Sequence, residues 1–230
     1  MSQHKRKLAA IVFTDIVGFT KLTADDQSKA SNLLTEQRNL LQPIVEDHSG
    51  SWIKEMGDGL LLIFDTVTDA VNCTIKIQET TKEINDLNLR IGIHQGEILL
   101  TENDVIGDDV NIAARIEPFS APGGIAISNK VNDALVRESG YDTKYVGKPK
   151  LKGVGQEVKV YCITSHGLPE TKLSDVSAKL ETSKTTLYAG IAATIVIPVL
   201  LYLFVFQEDD GVESIAILYM DVNSASNENL

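Results

Sequence analysis

The stretch LAAIVFTDIVGFT, residues 8–20, joins a near-continuous apolar run to a single aspartate, Asp15. Such a run predicts a central strand in a sheet that is covered on both faces. A buried carboxylate is costly unless it is paired or coordinates a metal ion. The stretch WIKEMGDGLLLIF, residues 52–64, repeats the pattern, because Asp58 stands between two glycines and precedes a second apolar run. Both aspartates therefore need a physical explanation.

The sequence around these stretches alternates strands and helices over residues 7–165. The patterns predict a hairpin over 51–64 that turns at Asp58, helices over 26–50 and 66–86, and a strand over 89–100. They then predict a short helix over 109–119, a strand over 123–128, a helix over 129–139 and a strand over 157–164. Pro43 predicts a kink or break near Gln42 in the first helix. The order β-α-β-β-α-β predicts an α+β fold with a ferredoxin-like core.

The bulk composition excludes some functions. The chain has 230 residues, 43% of them hydrophobic, and a net charge of −11. A broad nucleic-acid surface is disfavoured at this charge, because the phosphate backbone would be repelled. The two cysteines, Cys73 and Cys162, lie in apolar stretches and predict reduced core thiols rather than a disulfide framework. The N-terminal residues do not have the pattern of a secretory signal.

One segment is too apolar for a typical soluble domain. TTLYAGIAATIVIPVLLYLFVF, residues 185–206, has 22 residues without a charge, which is enough to cross a bilayer core of about 20 residues. A buried core helix is the alternative, although such helices rarely run so long without a polar face. Lysines precede the segment and acidic residues follow it, so the positive-inside rule predicts that residues 1–184 are cytoplasmic and that the protein crosses the cell (inner) membrane once.

The two aspartates suggest a metal site. Asp15 ends a predicted strand and Asp58 occupies the turn of a predicted hairpin, and such positions can converge at one end of a sheet. Two carboxylates on rigid backbone suit Mg²⁺, which prefers oxygen ligands and usually binds together with substrate phosphates. Spacing alone leaves a second interpretation open, in which both residues only cap turns.

A second group of polar residues occupies DVIGDDVNIAARIE, residues 104–117. Asn111 and Arg115 are four apart and share one face of the predicted helix. The planar guanidinium suits phosphate oxygens, and an asparagine amide can orient a ribose hydroxyl. Taken alone, the pair could equally be a surface asparagine and an ion-paired arginine.

Taken together, these stretches resemble the class III nucleotidyl cyclases, and the resemblance extends over residues 7–165. The motifs FTDIVGFT, KEMGDGLLLIF, RIGIHQGEI, DVIGDDVNIAARIE and LKGVGQEVKVY occur in the order and spacing of that family. Five ordered motifs are much more specific than any single one. The domains implied are a catalytic domain over 1–165, a linker over 166–184, the span over 185–206 and a tail over 207–230. The tail resembles the start of a larger extension, so we expect a truncated chain.

The resemblance implies a full set of site residues. Two metal ions, Mg²⁺ or Mn²⁺, are held by Asp15, Asp58 and the carbonyl of Ile16. Lys54 and Asp104 select adenine, whereas members that select guanine typically carry Glu and Cys there. Asn111 and Arg115 orient the ribose and stabilise the transition state, and Arg90 and Lys152 bind the triphosphate. His94 resembles a general base but belongs to a strand motif, and we interpret it as structural.

The function that the resemblance implies is conversion of ATP to cyclic AMP and pyrophosphate by two-metal catalysis. The family builds its site between two catalytic domains, one giving the metal aspartates and Arg90, the other giving the remaining residues. This chain carries both sets, so a homodimer with two equivalent sites is expected. The alternatives are a guanylate cyclase, a catalytically silent nucleotide-binding module, and a membrane-anchored structural protein.

Overall fold

The computed structural model describes residues 5–101 and 104–172, and within them one sheet of eight strands carries helices on both faces. The strands are β1 (Lys5–Ile16), β2 (Ser51–Met56), β3 (Gly59–Phe64), β4 (Leu89–Leu100), β5 (Val105–Ile106), β6 (Ile125–Ser128), β7 (Thr143–Gly147) and β8 (Val160–Ile163). The helices are α1 (Phe19–Asp25), α2 (Gln27–Asp47), α3 (Val67–Thr81), α4 (Asp108–Ile116) and α5 (Asn129–Leu135), and a 3₁₀ turn (Glu117–Phe119) follows α4.

The sheet has the order β2-β3-β1-β4-β6-β8-β7, with β5 paired to β4. The pair β4–β6 is parallel and the other pairs are antiparallel. The chain from β1 to β4 runs β-α-α-β-β-α-β, with α1 and α2 in the place of the first helix, and its four strands lie in the order β2-β3-β1-β4. The ferredoxin-like core predicted from the sequence is therefore confirmed.

The two faces of the sheet are covered by different helices. Because successive strand residues point to opposite faces, Val12 and Leu62 belong to the core shared with α2 and α3, whereas Ile11 and Leu61 belong to the core shared with α4. These side chains are buried to 1% exposure or less. Each fully buried side chain of this size contributes roughly 1.5–3 kcal/mol. Continuous burial on both faces explains why β1 reads as an unbroken apolar run.

Of the kink or break predicted near Gln42, the break does not occur, since α2 continues through Pro43 to Asp47. A proline inside a helix removes one backbone hydrogen bond and crowds the preceding turn. Leu41 and Val45 lie on either side of the proline and are 0% and 1% exposed. Their burial in the core holds both halves of the helix against the sheet, so tertiary packing overrides the local signal.

Other predictions from the sequence differ in extent. The hairpin β2–β3 and strand β4 are confirmed, α3 ends at Thr81 rather than at 86, and α1, β5 and β7 were not predicted. Cys73 and Cys162 are free and buried, as expected.

None of the helices in the described part of the chain is long and apolar enough to cross a membrane. The predicted span over 185–206 and the tail over 207–230 lie outside the described residues.

Candidate active site

The hairpin between β2 and β3 brings Asp58 to the end of β1. Gly57 adopts a φ of +68°, which favours glycine in the turn. Gly59 lies so close to β1 that an added Cβ would be 2.8 Å from the carbonyl oxygen of Thr14. The Asp58 carboxylate accepts a hydrogen bond of 3.1 Å from the N–H of Ile16. The structure thus brings Asp15, Ile16 and Asp58 together, as the sequence predicted.

The two carboxylates influence each other. Burial, and after it the negative charge of Asp15, raises the pKa of Asp58, although the hydrogen bond from Ile16 acts in the opposite direction. Carboxylates that repel each other in a partly buried place are a favourable environment for a divalent cation, and their oxygens are the ligands that Mg²⁺ and Mn²⁺ prefer. The donor set therefore fits the implied metal. Within residues 5–101 and 104–172 there is no cluster of three or more His, Cys, Asp or Glu suited to a metal ion.

Arg90 lies directly opposite Asp15 in the β1–β4 ladder. Its Nη2 donates to Asp15 Oδ2 at 2.5 Å, and its Nε donates to Glu117 Oε1 at 2.9 Å. The resemblance implied a triphosphate contact for Arg90, whereas the structure shows it between two carboxylates. These bonds use two of the five N–H donors of the guanidinium. The arrangement neutralises part of the negative charge at Asp15 and links β4 to the end of α4.

A β-bulge directs Lys54 toward the α4 face of the sheet. The register between β2 and β3 shifts between Trp52 and Lys54, so that Lys54 lies opposite Leu61 rather than Leu60. Leu61 belongs to the α4 face and Leu60 to the opposite core. In a regular ladder Ile53 would lie opposite Leu61 and Lys54 opposite Leu60, and the lysine would then point to the α2–α3 face, because a shift of one residue reverses every side chain.

Lys54 and Asp104, which the family resemblance assigned to base selection, form an ion pair. The ammonium group lies 2.7 Å from both carboxylate oxygens of Asp104. The Lys54 hydrogen bond, and after it one from the N–H of Val105, lowers the pKa of Asp104. Both side chains are about 40% exposed, at 38% and 43%. The structure thus presents a donor and an acceptor side by side to solvent.

Helix α4 carries Asn111 and Arg115 on its outer side. Ile112, Ala113 and Ile116 are buried against the sheet, whereas Asn111 is exposed and Arg115 half-buried. The Arg115 side chain donates to the carbonyl of Asn111 at 3.1 Å. No carboxylate pairs with Arg115 among the described residues, so the alternative of an ion-paired surface arginine is not observed within one chain.

The loop after β7 passes next to Arg115 of α4. Lys152 is exposed, and a Cβ added to the next residue, Gly153, would lie 3.7 Å from Nη2 of Arg115. An open cleft of about 450 Å³ runs between this loop, Asn111 and Lys130. A larger cleft, of about 600 Å³, is lined by residues of 78–88, 122–123 and 166–169 and contains none of the predicted site residues. The chemistry of the side chains, rather than cleft size, therefore locates the site.

Sequence reasoning missed several residues that support the site. Glu117 binds Arg90 and could have been suspected, since it stands two residues after Arg115 in the same motif. Gln37 of α2 is 2% exposed and donates to the Asp58 carbonyl at 3.3 Å, and no local pattern indicates it. Asp109 contacts His94 at 2.9 Å, a contact that depends on how α4 lies on β4.

The comparison with known proteins decides the family. Residues 1–165 match the sequence profile described as adenylate and guanylate cyclase catalytic domain. The chain belongs to this family. The fold agrees with that of a crystal structure of an adenylate/guanylate cyclase/hydrolase from Silicibacter pomeroyi, with a TM-score of 0.65 and 30% sequence identity over 73% of this chain and 100% of the other.

Relatives of this cyclase domain include proteins named for either nucleotide. The chain is 33% identical over 165 residues to "Putative adenylate cyclase 3" of Rhizobium meliloti, which covers 68% of this chain and 28% of that protein. It is 26% identical over 182 residues to guanylate cyclase 2G of Mus musculus, covering 69% of this chain and 16% of that protein. The cyclase domain thus spans less than a third of either relative.

Proposed function

We propose that this cyclase domain is an adenylate cyclase, which converts ATP to 3′,5′-cyclic AMP and pyrophosphate. The observation that carries the choice of ATP is the Lys54–Asp104 contact at 2.7 Å. Adenine presents an acceptor at N1 and an amino donor at C6, which an ammonium group and a carboxylate complement. Guanine presents the reverse order at these atoms, so Lys54 opposite N1 and Asp104 opposite C6 favour adenine.

The carboxylates of Asp15 and Asp58 and the Ile16 carbonyl are proposed to hold Mg²⁺ or Mn²⁺, two ions per site. When bound, such ions lower the pKa of the attacking hydroxyl and neutralise charge on the phosphates. The raised pKa of Asp58 supports this assignment, because burial and the charge of Asp15 leave that carboxylate short of positive charge. Arg90 supplies a nearby cation, and its unused N–H groups remain able to bind phosphate oxygens.

Asn111 and Arg115 are proposed to act on the ribose and the reacting phosphate. The Arg115 guanidinium has no carboxylate partner among the described residues, so its remaining N–H donors are available to an anion. Charge grows on the phosphate oxygens as the 3′-oxygen bonds to the α-phosphorus and pyrophosphate leaves. A donor already in place for that charge accelerates the reaction, because it stabilises the transition state more than the ground state. Lys152, exposed beside Gly153, is proposed to bind the triphosphate.

A homodimer is the proposed assembly. One chain contains the metal-binding set and the set of Lys54, Asp104, Asn111, Arg115 and Lys152. The Lys54–Asp104 pair is about 40% exposed, and Arg115 lies on the outer side of α4, so both face a surface that a second chain could cover. A two-fold axis that places the metal set of one chain against the second set of its partner gives two equivalent sites.

Membrane attachment through residues 185–206 is a separate proposal. It rests on 22 uncharged residues, preceded by lysines and followed by acids. The proposed location is the cell (inner) membrane, with the cyclase domain on the cytoplasmic side. Carbonate washing of membranes should leave the full chain in the pellet, and protease added outside intact cells should spare the cyclase domain. Release by carbonate, or digestion from outside, would reject the proposal.

The function is tested with the purified 230-residue chain, supplied with ATP or GTP and with Mg²⁺ or Mn²⁺. Mass spectrometry should identify cyclic AMP from ATP, with a higher kcat/KM for ATP than for GTP, and Asp58→Asn should serve as the inactive control. A higher kcat/KM for GTP would make the chain a guanylate cyclase, the second candidate, which the guanylate cyclase relatives favour. No product from either nucleotide would leave a silent binding module and reject the proposal.

A further inference from the structure

Helix α4 begins without a conventional cap. Its N-cap is Gly107, which offers no side-chain hydrogen bond to the free N–H groups of the first turn. Asp109 in that first turn points at strand β4 instead. Its Oδ1 lies 2.9 Å from Nε2 of His94, and its Oδ2 accepts a hydrogen bond of 2.8 Å from the N–H of Glu97. The carboxylate therefore ties the helix to the strand.

The fit between Asp109 and β4 is close. A Cβ added to Gly96 would lie only 2.0 Å from Cγ of Asp109. At the other end of α4, a Cβ added to Gly92 would lie 2.4 Å from the backbone nitrogen of Glu117. The strand thus has glycine at both places where the helix approaches it, and α4 is held at its two ends.

His94 is buried, at 1% exposure, and its Nδ1 has no hydrogen-bond partner within the described residues. The tautomer that fits is the neutral ring with its proton on Nε2, which donates to Asp109. Burial lowers the pKa of His94, although the hydrogen bond to Asp109 opposes this. Lys130 lies 3.4 Å from Asp109 Oδ1 and further disfavours a second positive charge.

Most other contacts between α4 and the sheet have no direction. Ile112, Ala113 and Ile116 bury apolar surface, and burial of apolar surface is a non-directional interaction. Directional bonds come from His94 and the Glu97 N–H at the start of the helix, and from Arg90 to Glu117 beyond its end. A rotation of α4 would change where Asn111 and Arg115 point, since both stand within six residues of Asp109.

We propose that His94 is a positioning residue, which acts through Asp109 to fix the rotation and height of α4 and so the direction of Asn111 and Arg115. The inference rests on the proposed function for its effect on turnover, but the placement of the helix can be tested without it. Among the described residues the ring of His94 bonds to Asp109 and forms no hydrogen bond with the predicted metal ligands or with the Lys54–Asp104 pair. Its imidazole is a hydrogen-bond donor of fixed position, not a general base.

The test compares two variants of His94 with a matched control. In His94→Gln the amide nitrogen can take the place of Nε2, whereas the shorter amide of His94→Asn cannot reach Asp109. His166→Asn is the control, because His166 is exposed and Asn tolerates its φ of +59°. A misplacement near 1 Å can cost about 100-fold in rate, so we expect kcat to fall roughly 10- to 100-fold in His94→Asn. We expect little change in KM for His94→Asn. In His94→Gln most of the wild-type kcat should return, and in the control His166→Asn kcat and KM should be unchanged.

Loss of stability alone must be separated from loss of position. Val45→Ala, in the core of α2 on the opposite face, provides a destabilised reference. Hydrogen–deuterium exchange should be faster in 108–116 for His94→Asn, while α3 is unchanged, and this holds even if the wild-type chain has no cyclase activity. The proposal would be overturned if exchange in His94→Asn rose equally in α3 and α4. It would also be overturned if His94→Asn lost no more kcat than Val45→Ala when the two variants have the same Tm.

Discussion

Arg90 and Asp15 face each other across β4 and β1, and the guanidinium donates to the carboxylate at 2.5 Å. Asp58 has no such cation among the described residues, since its carboxylate accepts from the N–H of Ile16. Arg90 thus pairs with Asp15 and Glu117 and forms no ion pair with Asp58 among the described residues. Burial, and after it the charge of Asp15, raises the pKa of Asp58, so positive charge added between these two carboxylates would stabilise their ionised forms.

Replacement of Asp58 by asparagine should separate stability from activity. The amide oxygen can still accept from Ile16, while the buried charge and its repulsion of Asp15 disappear. We expect Asp58→Asn to have an unchanged or higher Tm and no detectable cyclase activity. Thermal unfolding and a cyclic-nucleotide assay check this. A lower Tm would contradict the repulsion, and turnover within about tenfold of wild type, ~1.4 kcal/mol in the barrier, would contradict the metal-binding role.

The nucleotide preference should depend on Lys54. Its removal leaves Asp104 without its donor and removes one hydrogen bond to adenine, and a lost bond to a charged group costs about 1–3 kcal/mol. We expect Lys54→Met to lower kcat/KM for ATP by roughly 10- to 100-fold, by the same relation. Lys144→Met is the control, since Lys144 is also a half-exposed lysine in an ion pair, with Glu170. Equal losses in both variants would mean that Lys54 does not read the base.

The stability of the domain should fall in mild acid because of His94. Its pKa in the folded chain is below the usual 6.5, mainly through burial. Above that pH the ring is neutral in both states and its contribution is complete. As the pH falls below 6.5, the unfolded chain takes up a proton that the folded chain refuses, so stability declines. We expect Tm to fall between pH 7.5 and about 5.5, before carboxylates titrate near about 4, and to fall less in His94→Gln. Equal slopes in the two proteins would contradict the assignment.

The thiol of Cys73 should be inert in the folded chain. Burial raises its pKa to about 12, and the thiolate is the reactive form. A thiol reagent at pH 8 should label neither Cys73 nor the buried Cys162 until denaturant is added, when both should react. Rapid labelling of Cys73 without denaturant would show that α3 opens more readily than its packing indicates.

The sequence supports the strand order and the metal-binding half of the site better than the rest. Asp15 was identifiable because it interrupts an apolar run, and Asp58 because it stands between two glycines just before one. Strands β1 and β3 were recognisable from those continuous apolar runs. The bulge at Ile53 was not identifiable, since a single inserted residue leaves no local signal, yet it decides which face Lys54 occupies. The direction of Lys54 therefore came from the family resemblance rather than from alternation.

The remaining differences come from tertiary contacts. Pro43 carries a strong local signal for a break, and burial of Leu41 and Val45 overrides it. The strand β5 has only two residues, which is too short for a periodic pattern. The His94–Asp109 bond joins residues of β4 and α4, and it depends on the angle at which the helix crosses the strand. Such contacts follow from packing and not from spacing along the chain.

The most direct measurement is complementation between two inactive variants of the full chain. Asp15→Ala removes the metal-binding side and Arg115→Ala removes the transition-state side. A mixed dimer concentrates both lesions in one site and leaves the other intact. Random pairing makes about half of the dimers mixed, each with one working site, so cyclic AMP production should recover to roughly a quarter of wild type. A mixture as inactive as each parent, with mixed dimers shown to form, would contradict a site shared between two chains.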